Sequence, residues 1–253
     1  MRDINKYTYD YNKPNFEDYQ VKYRRKKVLE IIDKYKPKFI LEIGCGMEPL
    51  FKYLAGEYER YTLVEPSKEF YQNAIKLAKD NCKINCYNDF FGSDELVLDE
   101  KYDLVVCSGL LHEVSEPLEF IKELYKICSD KTILHINVPN AKSFHRLLAK
   151  KMELINDEHA MSERNILYQQ HSVFDIEGLK NILEDNGFEI INSGSYFVKP
   201  FTHSQMYEMM CKSIIDEKVL DGLYEMTEYM PEMGSEIYVA MFDEIISSNI
   251  ATL

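Results

Sequence analysis

The sequence predicts an α/β protein built on a mostly parallel sheet with helices on both faces. Three observations carry this reading. Short apolar runs of strand length recur through residues 38–138, separated by amphipathic stretches, the alternation that βαβ units produce. The first run ends in an acid and a turn with two glycines, Glu42-Ile43-Gly44-Cys45-Gly46. The second run, Tyr61-Thr62-Leu63-Val64, ends in Glu65.

Residues 1–15 are polar and tyrosine-rich (Tyr7, Tyr9, Tyr11, then Pro14) and read as an irregular arm. Over 16–35 a broken apolar stripe of Tyr19, Tyr23, Val28, Leu29, Ile31 and Ile32 predicts a helix, which Pro37 stops. Strand one follows at 38–43 and a short helix at 50–55. Strand two is 61–64. Ser67 has the side chain to cap a helix running through residue 80, with Phe70, Ala74, Ile75 and Leu77 inward. Strands three and four are 84–87 and 103–107. A helix over 115–128 carries Pro117 in its first turn. Strand five, 132–138, closes on Pro139-Asn140.

After residue 140 the alternation loosens. A helix is expected over 142–154, a polar segment over 155–172, and a helix over 176–185 that Gly187 closes. Strand six is 188–193. One or two helices rich in Met and Tyr fill 205–229, and the last strand is 234–242. No repeat or Pro/Gly-rich linker divides the chain. We therefore expect one domain over 1–253: an N-terminal arm and helix (1–36), a ligand-binding core (37–140), substrate-side helices with strand six (141–232), and the last strand (233–243).

Composition narrows the partners. A net charge of −13 over 253 residues argues against nucleic acid and against an anionic membrane, both of which select positive surfaces. No apolar run approaches the ~20 residues that span a bilayer, and the N-terminus lacks the apolar core of a signal peptide. A soluble cytoplasmic protein is expected, a monomer or homodimer. The six cysteines make no CxxC pair and no zinc-finger spacing, so reduced thiols and no metal are expected.

The glycine turn carries the chemistry. Ligands of such sheets lie over the carboxyl ends of the strands, where strand order reverses, and glycine lets the first turn approach them closely. A dinucleotide site wants G-x-G-x-x-G facing a pyrophosphate. Here position 49 is Pro, and Glu48 would repel phosphate. A cationic ligand without phosphate tolerates that acid, and a carboxylate such as Glu65 accepts from two ribose hydroxyls at once.

The stretch Glu42-Ile43-Gly44-Cys45-Gly46 with Glu65 resembles the cofactor signature of class I S-adenosylmethionine (SAM)-dependent methyltransferases. Later segments match that family in order: Asn88-Asp89-Phe90-Phe91 after strand three, Ser108-Gly109-Leu110-Leu111-His112-Glu113-Val114 after strand four, Pro139-Asn140 after strand five, and Gly187-Phe188 before strand six. The likeness covers residues 37–140 well and 171–243 more loosely. Met47-Glu48-Pro49 departs from the small residue many members carry there. The run Ser143-Phe144-His145-Arg146 to Gln169-Gln170-His171 is similar to bacterial methyltransferases of surface-glycan and secondary metabolism.

The resemblance implies a Rossmann-like, seven-stranded, mostly parallel sheet with an antiparallel C-terminal strand. The arm and the 141–170 and 203–232 segments would cap its carboxyl edge. It implies SAM as cofactor and S-adenosylhomocysteine (SAH) as product, contacted by Glu42, Gly44, Cys45, Gly46, Glu65, Pro66, Asp89, Phe90, Ser108 and Gly109.

Each residue has a structural alternative. Glu42 and Glu65 end apolar strands and need partners whether or not a ligand binds. Asp89 suits a turn, and Phe90 suits core. His112 titrates near neutrality and is the candidate to take a proton from an acceptor hydroxyl; it equally suits a backbone hydrogen bond. His171 is a second candidate or a helix cap. His145 and Arg146 suit an anionic substrate or a solvated face. Arg24 and Tyr23 reach toward the cofactor or belong to a helix surface. The Met/Tyr stripe of 205–230 is core, subunit contact or a roof over the acceptor. The expected activity is methyl transfer to oxygen of a small polar acceptor: a sugar, phosphorylated or nucleotide-linked metabolite. A non-catalytic SAM-binding module, an NAD-linked oxidoreductase and a methyltransferase of RNA or protein are the alternatives. The N-P-P-Y type motif of amino-group methylation is absent after strand four.

Overall fold

The computed structural model describes residues 3–98 and 100–243. Its centre is a seven-stranded sheet of β1 (Phe39–Ile43), β2 (Arg60–Val64), β3 (Ile84–Tyr87), β4 (Leu104–Ser108), β5 (Ile133–Pro139), β6 (Phe188–Tyr196) and β7 (Glu236–Asp243). The order is β3-β2-β1-β4-β5-β7-β6. Strands β1 to β5 are parallel, and β7 lies antiparallel between β5 and β6. The order reverses between β1 and β4. Register puts Ile43 beside Val64 and Glu42 beside Val106, so Glu42, Glu65 and Ser108 reach one rim.

The helices are α1 (Ile4–Tyr11), α2 (Glu17–Tyr35), α3 (Lys68–Ala78), α4 (Pro117–Ile127), α5 (Phe144–Lys151), α6 (Glu163–Leu167), α7 (Ile176–Glu184), α8 (His203–Cys211) and α9 (Glu217–Glu225). Alternation along the strands sends neighbouring side chains to opposite faces. Leu41, Ile43, Val105, Leu134 and Val239 pack with Ile121 and Leu124 of α4 and Leu179 and Leu183 of α7. On the other face, Ile40, Leu63, Leu104 and Val106 meet Val28 and Ile31 of α2 and Ala74 of α3. Both faces are buried, which is why β4 reads as an unbroken apolar run.

A third cluster joins Phe16, Tyr23, Tyr196, Phe197, Met206, Leu220, Tyr224 and Tyr238. It takes in part of the Met/Tyr stripe: Met206 of α8 and Tyr224 of α9 are core with Phe16 and Tyr23, Tyr207 and Met210 are partly buried against them, and Tyr229 is exposed. Of the 203–232 segment, His203 lines the cavity described below.

The described part of the arm, residues 3–15, is not irregular throughout. Residues 4–11 form α1, with Asp3 accepting a cap bond from the Lys6 amide at 3.0 Å. Tyr7 and Tyr11 stand one turn apart with ring centroids at 5.7 Å, and Tyr11 packs edge-on against Phe70. Thr8 exchanges a 2.8 Å hydrogen bond with Ser67. The i, i+4 spacing of the tyrosines was the helical signal, and the polarity around it hid that signal. The short helix expected after the glycine turn is a single 3-10 turn, Leu50–Tyr53. Among the described residues no helix is long and apolar enough to cross a membrane.

Candidate active site

A cavity of about 230 Å³ opens over the carboxyl rim of the sheet. One end is built by β1, β2 and β4. Gly44 and Gly46 adopt φ of +75° and +57°, a region costly for other residues. The Gly44 amide donates to the Val64 carbonyl at 2.9 Å, which ties the turn to β2. A Cβ at Gly46 would stand 3.4 Å from the Tyr11 hydroxyl of α1, so glycine leaves that passage open.

Glu65 is buried at the end of β2. Its two oxygens accept from the amides of Cys45 (2.9 Å) and Ser67 (2.8 Å). The carboxylate thereby fixes the glycine turn from below. Glu42 accepts from the Tyr61 hydroxyl at 2.6 Å and from the Leu50 amide. Burial, opposed in part by these bonds, pushes its carboxyl up to about 7. Cys45 and Pro66 line the same end. Glu48 pairs with Arg25 at 3.2 Å and bonds Lys52 and Tyr53. The turn runs on into a single 3-10 turn, Leu50–Tyr53, and not into the α-helix whose N-terminus faces a pyrophosphate in dinucleotide sites.

Ser108 and Gly109 continue the wall. Gly109 has φ +67°, and a Cβ there would meet the Arg24 guanidinium at 3.4 Å. His112 lies buried in the next turn with its Nε2 3.8 Å from Glu113 Oε1. Its carbonyl accepts from the amides of His171 and Ser172. The His171 side chain is exposed and outside the cavity lining. Asp89, half-buried and accepting from the Phe90 amide, and Phe90, 42% exposed, also lie outside the cavity lining. Asp157, Glu158 and His159 sit close enough to share an ion, but outside the cavity.

His145 and Arg146, at the start of α5, line the cavity. Arg146 holds the following loop through the carbonyls of Glu158 (2.8 Å) and Ala160 (2.6 Å). Burial, then the nearby charge of Lys199, pushes the His145 imidazole well down.

The far wall contains residues that the sequence did not single out: Glu17, Gln20, Arg164, Lys199, His203 and Glu236. Arg24 is its hub. Its guanidinium spans Glu17 (2.7 Å) and Glu236, which also accepts from Gln20, Asn137 and Tyr196. Burial opposes ionisation of Glu236, yet Arg24 holds its carboxyl below the usual range. Glu17 is depressed further, by Arg24, His203 and Arg164 against burial. Lys199 is 1% exposed; its Nζ meets His203 Nδ1 at 2.7 Å and Gln20 Oε1 at 3.4 Å. His203 Nε2 in turn stands 3.4 Å from Glu17. One signal was available. Lys199 and Glu236 abut apolar strands, as Glu42 and Glu65 do.

The glycine end fits SAM. It has an open, positive-φ cradle flanked by two buried carboxylates, Glu42 and Glu65, groups able to accept from hydroxyls and to face a cation. Comparisons agree. A methyltransferase domain family model matches residues 16–193, more than half the chain, and the chain belongs to that family. It is a class I SAM-dependent methyltransferase, with SAM as methyl donor and SAH as product.

Solved structures share the fold. The N-methyltransferase NodS from Bradyrhizobium japonicum WM9, in complex with SAH, is 12% identical, with a TM-score of 0.55 over 92% of this chain and 89% of that one. The plantazolicin methyltransferase BamL, with a triazolic desmethylPZN analog and SAH, is 16% identical, with a TM-score of 0.57 over 90% and 88%. A SAM-dependent methyltransferase from Clostridium acetobutylicum ATCC 824 is 10% identical, with a TM-score of 0.54 over 87% and 91%. At these identities the likeness is one of fold. No curated protein matches the sequence.

Proposed function

We propose that the protein methylates a hydroxyl of a small polar metabolite, of the sugar or phosphorylated class. One observation carries this: a single cavity is lined both by the glycine turn and by a wall of buried polar side chains. An apolar acceptor would leave Arg24, Lys199 and their partners facing hydrocarbon, at a cost.

In this reading Gly44, Cys45 and Gly46 hold the amino-acid end of the cofactor, and Glu65 and Pro66 hold the ribose. Asp89 and Phe90 serve an adenine only at the open margin, since they lie off the cavity lining. When bound, SAM supplies a methyl group already activated by the positive charge of its sulfur. The chain must align donor and acceptor and exclude water. Tyr7 and Tyr11 of α1 cover the glycine turn. Glu42 lends negative charge beside the cation in the fraction of molecules where it is ionised. His112, at the end of β4, takes the acceptor proton.

The test is transfer from methyl-labelled SAM into a metabolite extract, followed by identification of the labelled compound. We expect label on oxygen of a small polar product. His112→Ala should lower kcat by roughly 10²–10⁴-fold, the range typical of a lost general base, with KM for SAM unchanged. Label found in protein or RNA alone would sink the proposal.

A further inference from the structure

We infer that Lys199, with Arg164 and His145, seats an anionic group, a carboxylate or phosphate, carried by the methyl acceptor. The inference rests on the acceptor reading above and names the substrate's chemical class.

Charge bookkeeping on the far wall points this way. Two carboxylates, Glu17 and Glu236, face three cations, Arg24, Arg164 and Lys199. Arg24 takes Glu236 on two nitrogens and Glu17 on the third. Arg164 adds a looser 3.6 Å contact to Glu17 and lies over the Tyr168 ring. Among the described residues, no carboxylate lies within ion-pairing distance of Lys199. Its neighbours are an amide oxygen, an imidazole nitrogen and, at 6.0 Å, the Phe16 ring. Once protonated, Lys199 is a buried ammonium without a counter-ion, an expensive state that gives the wall one positive charge more than it balances.

The placement is held by the fold. Phe197, two residues before Lys199, adopts φ +61°, a strained conformation for a bulky residue. The chain is kept there by the Ser235 amide on the Phe197 carbonyl and the Val198 amide on the Leu223 carbonyl. His145 faces the same group from α5, with a buried Nδ1 that finds no protein partner. Burial and then the Lys199 charge oppose protonation of His145, and Arg164 opposes that of Lys199. An anion placed among them relieves both repulsions together.

Burial, then Arg164, brings Lys199 down to about 7, with Glu17 and Glu236 acting the other way. An anion would restore an ordinary lysine, so binding above neutrality should take up a proton. The far wall's other titratable groups, Glu17, Arg24, Tyr196, His203 and Glu236, are already paired with one another.

The experiment uses the SAH-saturated protein and calorimetry at pH 8 in two buffers of different ionisation enthalpy. The probes are inorganic phosphate and acetate, which separate the two anion sources. We expect saturable binding of at least one, with uptake approaching one proton. Lys199→Met should weaken that binding at least tenfold and abolish the uptake, Lys199→Arg should keep binding without uptake, and SAH affinity should be unchanged in both. Absence of saturable binding by either probe, or binding without proton uptake that Lys199→Met leaves intact, overturns the inference. Neither outcome depends on methyl transfer, so a failed transfer assay and a failed anion seat remain separate results.

Discussion

The two ends of the cavity are made in different ways. At the glycine end, Glu42, Gly44, Cys45, Gly46, Glu65 and Pro66 fall within the single step from β1 to the end of β2, and Glu42, Gly44, Cys45 and Glu65 are fixed by hydrogen bonds to or from backbone. At the far wall, Glu17, Arg24, Arg164, Lys199, His203 and Glu236 come from distant parts of the chain and are fixed by one another and by Gln20. The first end presents main-chain geometry and suits a cofactor of fixed shape. The second presents exchangeable side chains, so acceptor choice can change there while the cofactor end stays as it is.

The largest expected break is at the far wall. Glu236→Ala leaves Arg24 and Tyr196 without their main partner in a dry site. Removing one member of such a pair costs about 3–5 kcal/mol, read as a lower urea midpoint with unchanged slope. A loss under about 1 kcal/mol would show that this wall does not hold itself together as described.

The next effect appears in pH. Lys199 is held near 7 in the folded protein and returns to about 10.4 when unfolded. Between these values the unfolded chain binds the extra proton. Stability should therefore rise as pH goes from about 7 to about 10.4, and be lost on the way back down. Lys199→Met should flatten that rise without unfolding the protein, because a well-packed apolar replacement of a buried ion is often neutral or better. Urea denaturation across this range checks the slope, and an unaltered slope in the variant would assign it to another group.

The smallest change belongs to the glycine end. A Cβ on Gly44 would meet Leu110 at an ordinary 3.6 Å, so space is available and φ decides. Gly44→Ala should cost about 1–2 kcal/mol and weaken SAH binding by roughly that factor on the scale of 1.4 kcal/mol per tenfold. Phosphate and acetate binding at the far wall should be untouched. If both ends lose affinity together, the division drawn between them is wrong.

The same division explains what could be read from the sequence. Strand ends with flanking acids and a Gly-x-Gly turn are local patterns, so β1, β2, β4 and the carboxylates Glu42 and Glu65 were legible. So was the sheet, because apolar runs separated by amphipathic helices leave few arrangements. Lys199 and Glu236 were legible only as charges beside apolar runs, and nothing in the sequence says that Gln20, on another element, will stand between them. Arg146 looked like an anion ligand by residue type, but the loop of Glu158 and Ala160 takes its fork. His171 lost its place because its backbone, not its ring, is what reaches His112. The helix α1 was missed because two tyrosines four apart, in a polar stretch, are a weak pattern without Phe70 and Ser67 to pack on.

The position of β7 has a consequence for how the chain assembles. Among the described residues, strand β6 has no sheet neighbour except β7, and β7 is the later of the two to leave the ribosome. Strands β1 to β5 can pair as they emerge, while β6 must wait, its edge open, for a segment some forty residues downstream. Glu236 begins that segment. A nascent chain thus acquires its nucleoside cradle well before it has anywhere to put a second substrate.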